Sequence, residues 1–235
     1  MIARDGWIFI LIGLAVTVVL LWLATRWDSR AAFVGSVLFA LVTLFTTYFF
    51  RDPNRSVELE PGGLVAPADG RIVKIDTLHS HPFVGERTIQ VSIFLSIFDV
   101  HVNRIPATGS VEYVKYNPGK FLAAYKDKAS EENEQTEIGL LTESGSRIAF
   151  KQIAGTIARR IVCRLDQGDR VVAGRRFGMI RFGSRADLLV PPDTRILVKV
   201  GEHVKGGESI MGYLPPAMSG EIDSSVSREG TDAKL

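Results

Sequence analysis

The sequence is poor in the residues that build disulfides and metal or redox centres. Its 235 residues include one cysteine, Cys163, so neither an internal disulfide nor a CxxC motif can form. It has no HExxH, Walker or GxGxxG motif, which removes the usual signatures of zinc hydrolases, P-loop proteins and dinucleotide-binding proteins. The formal net charge is only +2, and no run of five lysines or arginines occurs. We therefore expect no metal, no nucleotide cofactor and no nucleic acid partner.

Apolar residues are abundant, at 46% of the chain, and they are concentrated near the N-terminus. Residues 7–23 and 31–50 contain no charged side chain, and a short charged sequence, ATRWDSR, separates the two runs. As helices these runs would be roughly 26 and 30 Å long, close to the thickness of the hydrocarbon core of a bilayer. The pattern predicts a membrane hairpin in residues 1–50, with helices at about 7–24 and 31–50. Two helices lying in one leaflet are the alternative.

A signal peptide is a weaker interpretation of the first run, because no small-residue cleavage site follows it and a second apolar run does.

The charges that flank these runs favour one orientation. Two crossings place both chain ends on the same side, where Arg4, Arg51 and Arg55 oppose Arg26 and Arg30 in the connection. Since positive charge is retained inside, this excess predicts an inner-membrane protein whose remaining domain lies on the cytoplasmic face.

Residues 51–218 consist of short alternating or apolar runs broken by glycine and proline, which predicts a mainly β domain. Two turns, GDRVVAG at 168–174 and GEHVKGG at 201–207, share the pattern G-[DE]-x-V-x-x-G. This pattern resembles the turns of lipoyl/biotinyl-type barrel-sandwich domains, although the Met-Lys pair that carries their cofactor is absent. We expect a mainly β (α+β) domain with barrel-sandwich-hybrid-like strands behind the helical hairpin. The polar residues 219–235 are expected to form a disordered tail.

Two polar segments have residue types that suit acid–base chemistry. In FDVHVNRIP the strand period of two places Asp99, His101 and Asn103 on one face, and an imidazole there can act as acid or base. An edge strand with a solvated polar face explains the same spacing. APADG ends in a common turn signal, and its Asp69 can either shape the turn or assist a catalytic group. His203, in the second repeated turn, is expected at the surface.

Five segments occur in a characteristic order: FFRDPNR, PADG, FDVHVNRIP, YNPGKFLAAYKDKASEENEQ and FGMIRFGSRADLLVP. Together they resemble the phosphatidylserine decarboxylase family, in particular its short membrane-bound branch, over residues 49 to 215. The resemblance implies a carboxy-lyase of phospholipid biosynthesis that converts phosphatidylserine to phosphatidylethanolamine and CO₂. It also implies a zymogen whose α and β chains stay associated, and a dimer of αβ units.

The resemblance assigns a special role to the Gly183-Ser184 bond. In this family the protein cuts the bond itself, which here would produce a β chain of 1–183 and an α chain of 184–235. Ser184 would become an N-terminal pyruvoyl group, whose ketone forms a Schiff base with the serine amine of the lipid. Glycine suits the position before the serine, because its backbone can be approached closely and can hold a strained conformation.

Other roles follow by matching positions to the family's motifs. Asp69 matches the acid that assists self-cleavage, and His101 is expected to be the acid/base of decarboxylation. Arg104 stands where the longer branch has a second histidine that activates self-cleavage. The cleavage base is therefore open: His101 takes over, or Arg104 polarises the scissile carbonyl while Asp69 or water accepts the proton.

Three basic residues are expected to contact the substrate: Arg104, Arg185 and Lys120. Arg185 follows the serine directly and is expected to hold the lipid phosphate or carboxylate. Lys120 precedes FLAAYKDKASEENEQ, residues 121–135, whose apolar and lysine side chains suit an anionic membrane surface. An ordinary packed helix with a solvated lysine face is the alternative for that segment.

Two other classes of protein remain open at this point. A membrane-anchored barrel-sandwich adaptor without catalytic activity needs the hairpin and the two repeated turns, but it has no use for Asp69, His101 and Ser184 together. A membrane serine hydrolase would keep an intact chain with a reactive Ser184. Within the decarboxylase interpretation, the membrane hairpin argues against a soluble amino acid as substrate.

Overall fold

Two long helices open the chain. The computed structural model describes residues 1–120, 133–155, 161–181 and 184–216. A short 3-10 helix precedes helices α1 (Trp7–Trp27) and α2 (Arg30–Phe49). Between them Asp28 adopts a left-handed conformation, and Ser29 caps α2 by accepting a hydrogen bond from the backbone of its first turn.

The helices have the surface of membrane segments. Both are long and apolar enough to cross a bilayer, judged by length and composition, and most of their large apolar side chains are exposed. Trp22 and Trp27 lie near the connection and contact each other, while Trp7 and Tyr48 lie near the opposite end. Aromatic rings at both ends fit the two interfaces of a membrane. The predicted pair of apolar helices is confirmed.

The rest of the described chain is built mainly from strands. They are β1 (Gly63–Val65), β2 (Gly70–Thr77), β3 (Ser80–His81), β4 (Gly85–Glu86), β5 (Ile89–Leu95), β6 (Val102–Arg104), β7 (Gly109–Asn117), β8 (Gln135–Thr142), β9 (Arg147–Ile153), β10 (Ile161–Cys163), β11 (Arg170–Val171), β12 (Arg176–Ile180), β13 (Ser184–Val190), β14 (Arg195–Ile196), β15 (His203–Val204) and β16 (Ile210–Tyr213). The predicted mainly β class is confirmed.

One large antiparallel sheet dominates, with the strand order β11-β7-β8-β9-β13-β5-β2-β15. Two smaller sheets, β1-β16-β14 and β10-β12-β6, complete the domain, and β3 and β4 form a separate hairpin. Alternate residues of β13, including Leu188 and Val190, join the main hydrophobic core with partners from β5, β8 and β9. Because β13 is central, both of its neighbours fix its register.

The antiparallel order brings several strand ends to one edge of the large sheet. Strands β2, β8 and β13 begin at this edge, whereas β5, β7 and β9 end there. Ser184 therefore lies opposite Leu95, and Gly70 lies beside the same end of β5. We call this the reactive edge, because Ser184 begins its central strand.

The two repeated turns have the same backbone conformation and meet in space. Gly168 and Gly201 have φ values of 93° and 92°, and Gly174 and Gly207 have values of 76° and 69°. Their short strands, β11 and β15, are the two outer strands of the large sheet. A Cβ at Gly207 would lie 3.2 Å from the Cα of Gly174, so the sheet curls until its outer strands are close together. Only glycine combines this positive φ with such a close approach.

The repeat extends beyond the turns into PADG and the sequence PATG at 106–109. The carbonyl of Pro67 accepts a hydrogen bond from the backbone N–H of Arg104. The carbonyl of Pro106 accepts the equivalent bond from the backbone N–H of Val65. The Asp69 carboxylate accepts from the backbone N–H of one turn at 2.8 Å, and Thr108 Oγ1 accepts at the matching position of the other turn at 3.1 Å. The domain is therefore a pseudo-two-fold structure in which Thr108 is the counterpart of Asp69.

Some strands differ from the sequence prediction. β7 and β8 were not predicted, because β7 alternates apolar with charged and tyrosine side chains and β8 follows a strongly polar segment. Only the first two residues of the apolar run RILVKV, residues 195–200, form a strand, β14. β6 begins at Val102, so the two residues before it do not continue the strand. Most of the predicted insertion at 121–135 and all of the predicted tail at 219–235 lie outside the described residues.

Candidate active site

Ser184 is the first residue of β13 and is fully buried. It pairs with Leu95 on one side only, whereas the next residue of the strand pairs on both sides. Its hydroxyl oxygen has no hydrogen-bond partner in the described part of the chain. Gly183 lies outside the described residues. A buried hydroxyl normally has a partner, so this one is available for chemistry.

The chain contains four Gly-Ser dipeptides, and the other three serines have ordinary environments. Ser36 donates to a helix carbonyl at 2.7 Å, and Ser110 approaches Glu112 at 3.4 Å. Ser146 is partly exposed in the turn that joins β8 to β9. Among the described serines, only Ser184 combines complete burial with an unpartnered hydroxyl.

His101 is also fully buried, just before β6. Its Nδ1 lies 3.0 Å from the backbone oxygen of Asp99. A carbonyl only accepts hydrogen bonds, so Nδ1 carries the proton and Nε2 presents its lone pair. In the described structure Nε2 is buried without a partner, and the Phe49 ring lies 4.3 Å from the imidazole, centroid to centroid.

This environment keeps His101 neutral. Burial lowers the pKa of His101 to about 4, and the nearby Arg51 charge acts in the same direction. The hydrogen bond to Asp99 and the negative charges of Asp99 and Asp69 oppose the shift. At neutral pH the imidazole is therefore an uncharged base with its acceptor nitrogen inside the protein.

Asp69 is held by a buried ion pair. Arg55 donates to both of its carboxylate oxygens, at 2.5 and 2.7 Å, and the backbone N–H of Gly206 donates at 2.8 Å. The side-chain hydrogen bond between Arg55 and Asp69 is the main reason that the pKa of Arg55 is raised. Sequence reasoning did not identify Arg55 as a site residue, although it closes the motif FFRDPNR. The counterpart Thr108 makes the matching backbone bond without a charge, so the turn itself does not require a carboxylate.

Ser184 and the segment that contains Asp69 lie at the reactive edge, and His101 is hydrogen-bonded to the strand that precedes Ser184 in the chain. The backbone N–H of Ile180 donates to the carbonyl of His101, and Ser184 follows only four residues later. Ala68, which precedes Asp69, shares a buried apolar cluster with Leu95, the strand partner of Ser184. The charge of Asp69 also acts on His101.

Asp99 does not share a strand face with His101, contrary to the expectation from spacing. It lies in the turn before β6, where its carboxylate accepts from the backbone of Ser96 at 2.8 Å. Its other oxygen lies 3.0 Å from Nε2 of His203, which is half exposed. Asn103 accepts from Gln152 at 2.9 Å. Asp99 therefore shapes the turn that carries His101.

Arg104 is buried among backbone carbonyls and a carboxylate. Its guanidinium donates to the carbonyl oxygens of Pro53 at 2.7 Å and Gly174 at 3.0 Å, and it lies 3.3 Å from Asp52. Its Cδ lies against Gly207. Arg104 thus joins the two repeated turns to the segment that follows α2.

Arg185 is fully buried and belongs to a polar network on one face of the large sheet. Its Nε donates to Asp187 at 2.7 Å, and its Nη2 donates to Ser92 at 2.5 Å. Gln90 donates to the other oxygen of Asp187. Strand alternation turns the Arg185 side chain to the face opposite Ser184, and its expected contact with a lipid headgroup stays a prediction. Lys120 is exposed at the end of the described segment before residue 121.

The buried neutral state of His101 predicts a pH dependence of stability. In the unfolded chain its pKa is about 6.5, so between pH 6.5 and 4 the unfolded state binds more protons and stability falls as the pH falls. At about 1.4 kcal/mol per pKa unit, the loss is about 3 kcal/mol. We expect His101→Gln to remove this part of the acid destabilisation in thermal unfolding at pH 7 and pH 4.5, and the exposed His79→Gln to leave it unchanged. Parallel curves for wild type and His101→Gln would contradict the neutral buried imidazole.

Comparison with known proteins is consistent with this site. A family model described as phosphatidylserine decarboxylase matches residues 42–212. The chain is 45% identical over 214 residues to the phosphatidylserine decarboxylase proenzyme of Symbiobacterium thermophilum, covering 91% of this chain and 96% of the relative. It is 51% identical over 183 residues to the proenzyme of the same name from Chlorobium phaeobacteroides strain BS1, covering 78% and 82%. The chain therefore belongs to the phosphatidylserine decarboxylase family and is a carboxy-lyase.

Proposed function

We propose that this chain decarboxylates phosphatidylserine to phosphatidylethanolamine with a pyruvoyl group formed from its own Ser184. The observation that carries the proposal is that two reactive atoms, Ser184 Oγ at the reactive edge and His101 Nε2, are both buried without a hydrogen-bond partner among the described residues. One is a nucleophile and the other is a neutral base, which are the two groups that a self-cleaving serine requires. The name proenzyme, carried by the relatives, supports processing of the chain.

The proposed self-cleavage is balanced in atoms. Ser184 Oγ adds to the Gly183 carbonyl, and the peptide C–N bond breaks to leave an ester and a free amine on residue 184. Loss of the Cα proton of residue 184 expels the Gly183 carboxylate and leaves a dehydroalanine. Tautomerisation and hydrolysis consume one water and release one ammonia, and residue 184 is left as a pyruvoyl group. No external oxidant or metal is needed for this sequence.

We assign His101 as the base that takes the Ser184 proton. Its Nε2 lone pair is free in the described structure, whereas the guanidinium of Arg104 already donates to two backbone carbonyls. The negative charge of Asp69 favours the imidazolium that forms, and Arg55 fixes the position of that charge. Asp69 therefore acts on the reaction through the electrostatics of His101.

The residues of the reactive edge fit the pyruvoyl group. Such a group supplies a ketone that accepts the electrons released with CO₂. Decarboxylation of the lipid carboxylate consumes one proton overall, and we assign its delivery to His101 Nε2. Because His101 is neutral at rest, it first accepts a proton, for which the substrate ammonium is the available donor. The buried site excludes water while this proton is held.

Arg185 positions the start of the α chain in this proposal. After cleavage residue 184 becomes a chain end, and only β5 pairs with it. Arg185 anchors the next residue through Asp187 and Ser92, both fully buried. This network limits fraying of the new terminus, so the reactive group keeps its position.

The membrane placement of the site follows from the hairpin. The end of α2 lies beside the turn that carries His101, so the reactive edge is next to the bilayer in which a phospholipid substrate resides. We keep Lys120 as a contact for anionic headgroups, since it is exposed and near this edge. The charge bias of the flanking arginines favours the cytoplasmic face, and a dimer of αβ units is the proposed assembly.

The first test is the intact mass of the purified protein. We expect two chains divided after Gly183, with the smaller one lacking a free amine and gaining mass after borohydride reduction with phosphatidylserine. Ser184→Ala should remain a single chain, and Ser110→Ala, in another Gly-Ser pair, should be cleaved like the wild type. An unbroken wild-type chain would contradict the proposal and favour the adaptor, or the serine hydrolase if a fluorophosphonate labels Ser184.

Asp69 and Thr108 occupy equivalent positions, so variants at the two sites distinguish an effect of charge from an effect on the fold. We expect the double variant Asp69→Asn/Arg55→Met, which leaves no unpaired buried charge, to keep the hydrogen bond from Gly206 but to slow chain cleavage at least ten-fold, because the charge that favours protonated His101 is lost. Thr108→Val removes only the matching backbone bond, so it should lower stability by about 1 kcal/mol and leave the cleavage rate unchanged. A time course of cleavage after cell-free synthesis measures both. Equal slowing by the two variants would mean that Asp69 only shapes its turn.

The two roles considered for Arg185 differ in their kinetics. Because Arg185→Met alone would remove the charge partner of buried Asp187, the double variant Arg185→Met/Asp187→Asn is the sharper test. A positioning role predicts a kcat at least ten-fold lower with KM nearly unchanged on mixed lipid–detergent micelles. The exposed Arg147→Met on β9 serves as the control. A raised KM with unchanged kcat would instead support a headgroup contact.

A further inference from the structure

We infer that Phe49, the last residue of the second membrane helix, is a positioning residue of the active site that holds the His101 imidazole in place. This inference rests on the proposed role of His101 and adds the membrane helix to the site. The hairpin would then do more than attach the domain to the bilayer. Its final turn would form one wall of the catalytic centre.

The first observation is the burial of the helix end. Most large side chains of α2 are exposed, but Phe49 is completely buried. It packs in a cluster with Val100 and Val102, the two neighbours of His101, and with Met179 of β12. Its ring lies 4.3 Å from the imidazole with an interplanar angle of 37°, so it covers one face of His101.

The second observation is independent of the ring contact. Tyr48 and Arg51, on either side of the helix end, both donate to the carbonyl oxygen of Phe98, at 3.3 and 2.6 Å. Arg51 also lies over the Tyr48 ring at 4.0 Å. The clamped carbonyl precedes Asp99, whose own carbonyl accepts from Nδ1 of His101. The end of α2 therefore restrains the imidazole in two ways: the Phe49 ring covers one face of it, and Tyr48 and Arg51 hold the turn whose carbonyl accepts from Nδ1.

The charges around His101 give this arrangement a chemical consequence. The groups that act on it are Arg51 from the helix end, Asp99 from its own turn and Asp69 from the start of β2. The Phe49 ring excludes water, and Arg51 opposes a second positive charge. Loss of the ring would hydrate the imidazole, favour its protonated form and remove the free Nε2 acceptor.

The test compares two phenylalanines of one cluster in the full-length protein. Phe50 packs in the same cluster, where its ring stacks on Phe9 of α1 and meets the Phe49 ring edge-on at 5.1 Å, so Phe50→Ala is the matched control that removes packing around Phe49 but leaves the Phe49 ring in place. We expect Phe49→Ala to lower kcat at least ten-fold at pH 7, counted per processed chain, and to move the acid limb of the pH–rate profile from about 4 toward 6.5. Phe50→Ala should leave the acid limb in place, and Phe49→Leu should restore most of the activity.

A second readout does not require activity. In unprocessed Ser184→Ala protein, NMR titration of labelled histidine, assigned with His101→Gln, should show the pKa of His101 rising when Phe49→Ala is added. Equal activity losses in Phe49→Ala and Phe50→Ala with unchanged titration would overturn the inference and leave the helix end a purely structural role. If the wild-type chain is never cleaved, the proposed function fails, while the titration still decides whether Phe49 controls His101.

Discussion

The close approach of Gly174 and Gly207 is the constraint on which the domain depends. It lets the outer strands β11 and β15 come together, so that the large sheet curls around its core. The same closure sets the position of the polar groups. Gly206, next to this contact, donates to Asp69, and Arg104 bridges Gly174 to the segment after α2. A side chain at Gly207 would push Arg104 and Gly174 away, and the positive φ of both glycines would strain the backbone of any other residue.

The pseudo-two-fold structure shows which polar groups the fold itself needs. Asp69 and Thr108 accept the same backbone hydrogen bond, one with a carboxylate and the other with a hydroxyl. Only Asp69 adds a charge, a buried arginine partner and an effect on the neighbouring histidine. Since a fold can be closed with a neutral threonine, burying an ion pair here is unexplained by stability alone. The difference between the halves therefore supports the side of the domain that carries Asp69 as the proposed catalytic side.

The sequence predicts the parts of this protein that depend on residue type and local order. The apolar helices follow from hydropathy, the mainly β class follows from short runs broken by glycine and proline, and Ser184, His101 and Asp69 follow from the order of the motifs. The roles of Arg55 and Phe49 could not be predicted, although both lie in FFRDPNR, because their partners come from distant strands and turns. Tertiary contacts also explain Arg185: only the register of β13 between β5 and β9 shows which face its side chain occupies.

The unpartnered atoms of Ser184 and His101 have an energetic meaning. A buried polar group without a hydrogen bond costs about 1–3 kcal/mol, and in the described part of the chain Ser184 Oγ and His101 Nε2 are among the atoms that carry this cost. The apolar cluster around Phe49 supplies burial that offsets this cost, and it also keeps the imidazole dry. The same apolar packing therefore stabilises the domain and keeps the His101 imidazole neutral. If His101 is the base proposed above, the end of α2, the stability of the fold and the reactivity of the site depend on one set of contacts.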